Sequence, residues 1–174
     1  MEAGTAEQAH AGPIDGYGAD DEPLAGRITL MGTFAASVAA ATLVARAGGR
    51  SAPERPHPAD VVMTGVATHK LSRLLTKAKV TSVVRAPFTE LEGPAGKGEV
   101  NERPRGRGLQ RAIGELLVCP YCVGQWISAG FAAGLVISPR ATRLVAAAYS
   151  AQAIADFLQL AYLAGEQRTG GPSP

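Results

Sequence analysis

Two cysteines in a C-x-x-C spacing, Cys119 and Cys122, are the residues of this chain best suited to chemistry, and it has no others. Thiols at this spacing can cycle between dithiol and disulfide or supply two ligands to zinc. Structural zinc takes about four ligands, so His69 is the candidate third and a second copy of the chain is a source of more. The plain alternative is a pair of small, inert, buried side chains at a helix start shaped by Pro120. A second group of interest is ionisable. Asp156 is the one charge between Leu144 and Ala164, and Tyr149, Gln152, Asp156 and Gln159 follow spacings of three and four that put one polar stripe on a helix face. Lys70, Arg73 and His69 are its candidate partners, with Glu115 close by at the same membrane boundary. Such a cluster can relay a proton or ion, bind a small polar ligand, or fix the register of a bundle.

The elements that must position these residues are apolar helices. The 22 residues from Leu116 to Ile137 carry no formal charge, enough to cross a hydrocarbon layer of ~30 Å at ~1.5 Å per residue. A second uncharged run covers Ile28 to Ala45, and the third is the stretch interrupted by Asp156. Hydrophobic residues are 46% of 174 and aromatics 5%, so alanine carries much of the apolar content, as suits helices packing closely in lipid. Residues 60–76 are less plain: the first half is apolar, and His69, Lys70 and Arg73 follow. Their apolar side chains do not gather on one face, which favours a span over a surface helix.

The expected fold is all-α, a polytopic membrane helical bundle of four transmembrane helices (three if 60–76 is interfacial). The helices fall at about 28–46, 60–76, 116–137 and 143–164, within a membrane domain over 27–164. An acidic disordered tail (1–26), a polar loop (77–114) and a flexible tail (165–174) complete the chain. The loop from Lys77 to Arg111 has eight cations, against two in the Ser138–Arg143 turn. The positive-inside rule therefore makes the loop cytoplasmic and the turn external, in a multi-pass protein of the cell membrane. With four spans both termini are inside. His69 and Cys119 then lie ~6–9 Å inside the cytoplasmic boundary and Asp156 about 12 Å.

The tetrapeptide Cys119-Pro120-Tyr121-Cys122 resembles the redox motif of glutaredoxins, but no strand precedes it and no βαβ pattern surrounds it, so that fold is excluded. A cytoplasmic position also keeps thiols reduced, which argues against redox catalysis. Gly130 and Gly134 form G-x-x-x-G, a spacing that allows a homo-oligomer. The run Arg103–Arg107 reads as a solvated loop diluted by Glu99 and Glu102, so nucleic acid is not an expected partner; the lipid bilayer is. Trp126 sits inside the central run and reads as packing. No P-loop, HExxH or GxSxG occurs.

From about Asp60 to Ala164 the chain resembles a family of small bacterial membrane proteins known as domain of unknown function 1360. The likeness rests on THKLSRLLTKAKVTSVVRAPF (Thr68–Phe88) and GELLVCPYCVGQW (Gly114–Trp126). By that likeness Leu71, Arg73, Leu74, Thr81, Arg85, Pro87 and Phe88 belong to the first block's pattern. Glu115, Cys119, Pro120, Cys122 and Trp126 belong to the second. Lys70 stands where arginine is expected and Ala78 where an acid is expected, so no role resting on an acid there carries over. The resemblance implies a membrane location and no activity. The expected function is non-enzymatic, with a polar site on the cytoplasmic side and no cofactor. The alternative is a cytoplasmic-facing CxxC thiol-redox or zinc-binding protein.

Overall fold

The structure, a computed structural model, describes residues 23–168. Most of the expected acidic tail, and the end of the expected C-terminal one, lie outside the described residues. Six helices and one hairpin make up the rest. Helix α1 (Leu24–Ala47) starts earlier than the expected residue 28, because Gly26 lets the chain pack closely on Gly108, Leu109 and Ala112. Helix α2 spans Pro58–Thr76, opened by His57, whose Nδ1 accepts from the Ala59 amide, and by proline at its first position.

The central apolar stretch is not one helix. It divides into α4 (Gly108–Val118) and α5 (Pro120–Ile137), with Cys119 extended between them at φ −104°, ψ 104°. Pro120 has no amide hydrogen and disfavours helical geometry at the residue before it, so α4 stops there and α5 begins. Helix α6 (Pro139–Arg168) follows after a single residue and runs beyond the expected 143–164 at both ends. Gly134 makes that hairpin possible, since a Cβ there would meet Thr142 Oγ1 at 2.6 Å.

The polar loop is folded, which corrects the all-α expectation. A 3-10 turn (Lys79–Thr81) and the one-turn α3 (Ser82–Arg85) lead into an antiparallel hairpin of β1 (Thr89–Gly96) and β2 (Glu99–Pro104). Its turn uses Gly96 and Gly98 at φ 141° and 77°, conformations that favour glycine. The hairpin is tied to the end of α2: Lys79 N–H donates to Gly98 O at 2.8 Å and Val100 N–H to Lys77 O at 2.9 Å. It rests on α4 at Gly114, where a Cβ would run into the Phe88 carbonyl.

The core lies where α2, α5 and α6 meet, at Ala67, Phe131 and Ala146, with Met63, Leu71, Ile127 and Tyr149 packed around them. Helices α2 and α6 run in the same direction, because their contacts ascend together: Asp60 with Arg143, Met63 with Ser150, Lys70 with Asp156. Helices α1 and α5 are likewise parallel, with Arg27 on Glu115 just before α5 and Phe34 edge-on to Trp126 at 5.1 Å. Helices α1, α5 and α6 are long and apolar enough to cross a membrane. Helix α2 carries Asp60, His69, Lys70 and Arg73 and does not join them on composition. Large apolar side chains point outward along the bundle, among them Met31 (72% exposed), Val62 (67%) and Leu144 (73%), an arrangement lipid tolerates and water does not. The hydroxyls of Thr29, Thr33 and Ser37 on α1 each donate to the carbonyl four residues back, as polar groups in hydrocarbon require.

Candidate functional site

The expected polar cluster exists as separate ion pairs rather than as one site. Lys70 on α2 is paired with Asp156 on α6. Beside them the rings of His69 and Phe157 stack at a centroid distance of 6.2 Å. Arg73, one turn further along α2, turns to the hairpin instead: its guanidinium holds Glu99 at 2.6 and 2.8 Å. Glu115 belongs to a third group, accepting from Arg27 Nε and NH2 at 3.0 and 2.9 Å, with Arg111 Nε at 3.4 Å. Gln152 and Gln159 are exposed. Among the candidates for the polar cluster, the structure therefore pairs only Lys70 with Asp156.

A fourth pair is the most enclosed. Arg85 is fully buried and the Glu102 side chain is 5% exposed. A guanidinium has five N–H donors, and all are engaged here. Nε and NH2 hold the two Glu102 oxygens at 2.7 and 2.9 Å; NH1 donates to Leu75 O at 2.8 Å and to Thr81 Oγ1 at 2.7 Å; NH2 also reaches Ala78 O at 3.1 Å. The Leu75 and Ala78 carbonyls sit at the end of α2, where helix carbonyls lack partners and positive charge is favoured. Thr89 Oγ1 donates to Glu102 at 2.8 Å. Burial opposes ionisation of Glu102, but the hydrogen bonds from Arg85 and Thr89 and the charges of Arg85 and Lys77 outweigh it and hold the carboxyl below the ordinary glutamate range.

Arg85 and Thr81, marked by the family pattern, thus act on the end of α2, while Phe88 and Pro87 offer their carbonyls to Arg105 N–H and Gln110 Nε2, both at 2.9 Å. Glu99 and Glu102, which hold Arg73 and Arg85, carry no signal in the sequence beyond their charge. Asp60 was also missed. It accepts from Arg143 Nε and NH2 at 2.9 and 2.7 Å, at the end of the bundle opposite the hairpin. Two helix starts at equal depth were the available sign of it.

Cys119 and Cys122 are joined as a disulfide, where free thiols were expected. Cys119 Sγ accepts from the Cys122 amide at 3.2 Å as the N-cap of α5. Among the described residues no three His, Cys, Asp or Glu side chains gather as metal ligands would, and His69 does not complete a site with the two cysteines. The basic run from Arg103 ends β2 and turns into α4, with Arg103 paired to Glu90 at 2.8 Å on the exposed face.

These features define a mostly helical protein with three membrane-length apolar helices and a small folded cap clamped onto the bundle by buried charge. The chain belongs to the family described as "Protein of unknown function (DUF1360)", which matches residues 63–162, more than half of its length. The match holds both members of the Lys70–Asp156, Arg73–Glu99 and Arg85–Glu102 pairs and leaves out Asp60 and α1. No curated protein and no solved structure matches the chain.

Proposed function

We propose that this is a non-enzymatic, multi-pass protein of the cell membrane with four spans, α1, α2, α5 and α6. The cap from Lys77 to Val118 and both termini face the cytoplasm, and the cap is the surface through which the protein serves assembly or envelope physiology. The ladder joining α2 to α6 carries this reading. A surface helix lies across its neighbours, whereas α2 runs alongside α6 from Asp60 to Lys70, ~15 Å at the helical rise. A helix bound in this way to a spanning helix crosses with it. Its charges become tolerable because Asp60, Lys70 and Arg73 each have an opposite charge in reach.

Membrane-impermeant maleimide labelling of single cysteines, placed in a Cys119→Ser, Cys122→Ser background, tests the topology. Ser51→Cys should label in intact cells and Lys97→Cys only after permeabilisation. Protection of both would put α2 at the interface and remove the fourth span.

A second reading, a thiol–disulfide or zinc site on the same side, draws on the Cys119–Cys122 pairing at the start of α5, with Tyr121 87% exposed between them. A helix N-terminus lowers a cysteine pKa and favours the thiolate. Thiol titration and metal content of the detergent-purified protein decide it: a pair that neither oxidises nor binds zinc ends this reading.

A further inference from the structure

Along the outer half of the α1–α5 seam runs an apolar groove of about 730 Å³, within the ~300–1,000 Å³ usual for small-molecule sites. Its walls are small side chains, Ala41 and Ala45 on α1 and Ala129 and Ala133 on α5. Its floor is the Phe34–Trp126 pair. Its mouth is lined by Arg46 and Arg50, both exposed, and among the described residues neither has an ion-pair partner. Arg27, Arg73 and Arg143, by contrast, each hold an acid.

We infer that this groove binds one anionic phospholipid, its phosphate on Arg46 and Arg50 and one acyl chain laid along the Ala41–Ala133 walls down to Phe34 and Trp126. Three observations favour a lipid over a second copy of the chain. From Arg46 to Phe34 is 12 residues of helix, ~18 Å, close to the ~15 Å of hydrocarbon in one leaflet. The aromatic pair lines the groove at that depth, where an acyl chain entering from the mouth would end. The two cations at the mouth want a negatively charged headgroup, as basic pockets between membrane helices do. The assignment to the external leaflet rests on the four-span reading. The groove's charge preference does not.

Native mass spectrometry of the full chain in mild detergent, titrated with phosphatidylglycerol or phosphatidylcholine of the same acyl chains, tests this. The wild type should bind phosphatidylglycerol about tenfold more tightly than phosphatidylcholine, a preference consistent with two near-surface cations. Arg46→Gln with Arg50→Gln should abolish the preference, Arg46→Lys with Arg50→Lys should retain most of it, and Arg140→Gln, outside the groove, should leave it intact. Ala133→Phe should weaken both lipids by filling the groove. Equal preference in wild type and the glutamine pair would overturn the inference. So would a dimer, insensitive to lipid, that Ala133→Phe dissociates. If labelling instead placed Ser51 inside the cell while the preference held, only the leaflet assignment would fall.

Discussion

Arg85–Glu102 and Lys70–Asp156 are both long-range ion pairs anchored at the same end of the bundle, yet they differ in what surrounds them. Around Arg85 every donor is matched, and backbone carbonyls and Thr81 share the charge with Glu102. Lys70 and Asp156 meet side chain to side chain, and the Asp156 side chain is 48% exposed. In water that exposure would make the second pair nearly worthless. In hydrocarbon the same open face deprives each partner of any substitute. The first pair is enclosed by protein; on the four-span reading, the second matters because lipid encloses it.

The comparison breaks most sharply at Glu102. Glu102→Ala leaves a buried guanidinium without its counter-charge and should cost about 3–5 kcal/mol, read as lost protease resistance of residues 77–104 and a lower Tm in detergent. A change within 1 kcal/mol, on the order of a surface pair, would show the cap is not held by this clamp. Asp156→Leu should cost about 2–3 kcal/mol by stranding Lys70 in the membrane. Lys70→Leu in the same chain should restore expression, whereas Arg73→Leu should not, because Arg73 serves Glu99. Rescue by Arg73→Leu would contradict the pairing.

Acid separates the two pairs without a mutation. The Glu102 carboxyl is held below its unfolded value near 4.5, so its contribution is complete above that value and is lost as pH falls through the depressed one. Hydrogen-exchange protection factors across the cap, referred to the intrinsic rate at each pH, should be flat from pH 8 to about 5 and fall below, and Glu102→Gln should remove that acid-side step. The smallest effect is expected at the exposed hairpin pair: Arg103→Gln should change Tm by less than the equivalent of about 1 kcal/mol, which gives the baseline against which the buried clamp is read.

Apolar run length was enough to locate α1, α5 and α6, and the excess of cations in 77–111 marked the loop as distinct. The family pattern pointed to Arg85 and Thr81 without saying what they hold. Glu102 and Glu99 were invisible because an acid's partner is set by the hairpin's register, which depends on turn glycines and not on hydrophobic alternation. The TELEGPAG strand has no apolar face to announce it. Lys70–Asp156 was legible to within one helical turn: the sequence pointed to α2 and α6 and left Lys70, Arg73 and His69 as equal candidates. The break at Cys119 was written in Pro120, which the sequence offered as a helix start, but the unbroken apolar run favoured one helix over 116–137.

The account turns on α2 lying parallel to α6 inside the bundle. Disulfide trapping in native membranes of Met63→Cys with Ser150→Cys, in a Cys119→Ser, Cys122→Ser background, tests this directly, because Ser150 Oγ donates to Met63 O at 2.7 Å. The account predicts rapid crosslinking of that pair and none between Val62→Cys and Leu158→Cys, both outward-facing. Crosslinking of the second pair without the first would contradict it.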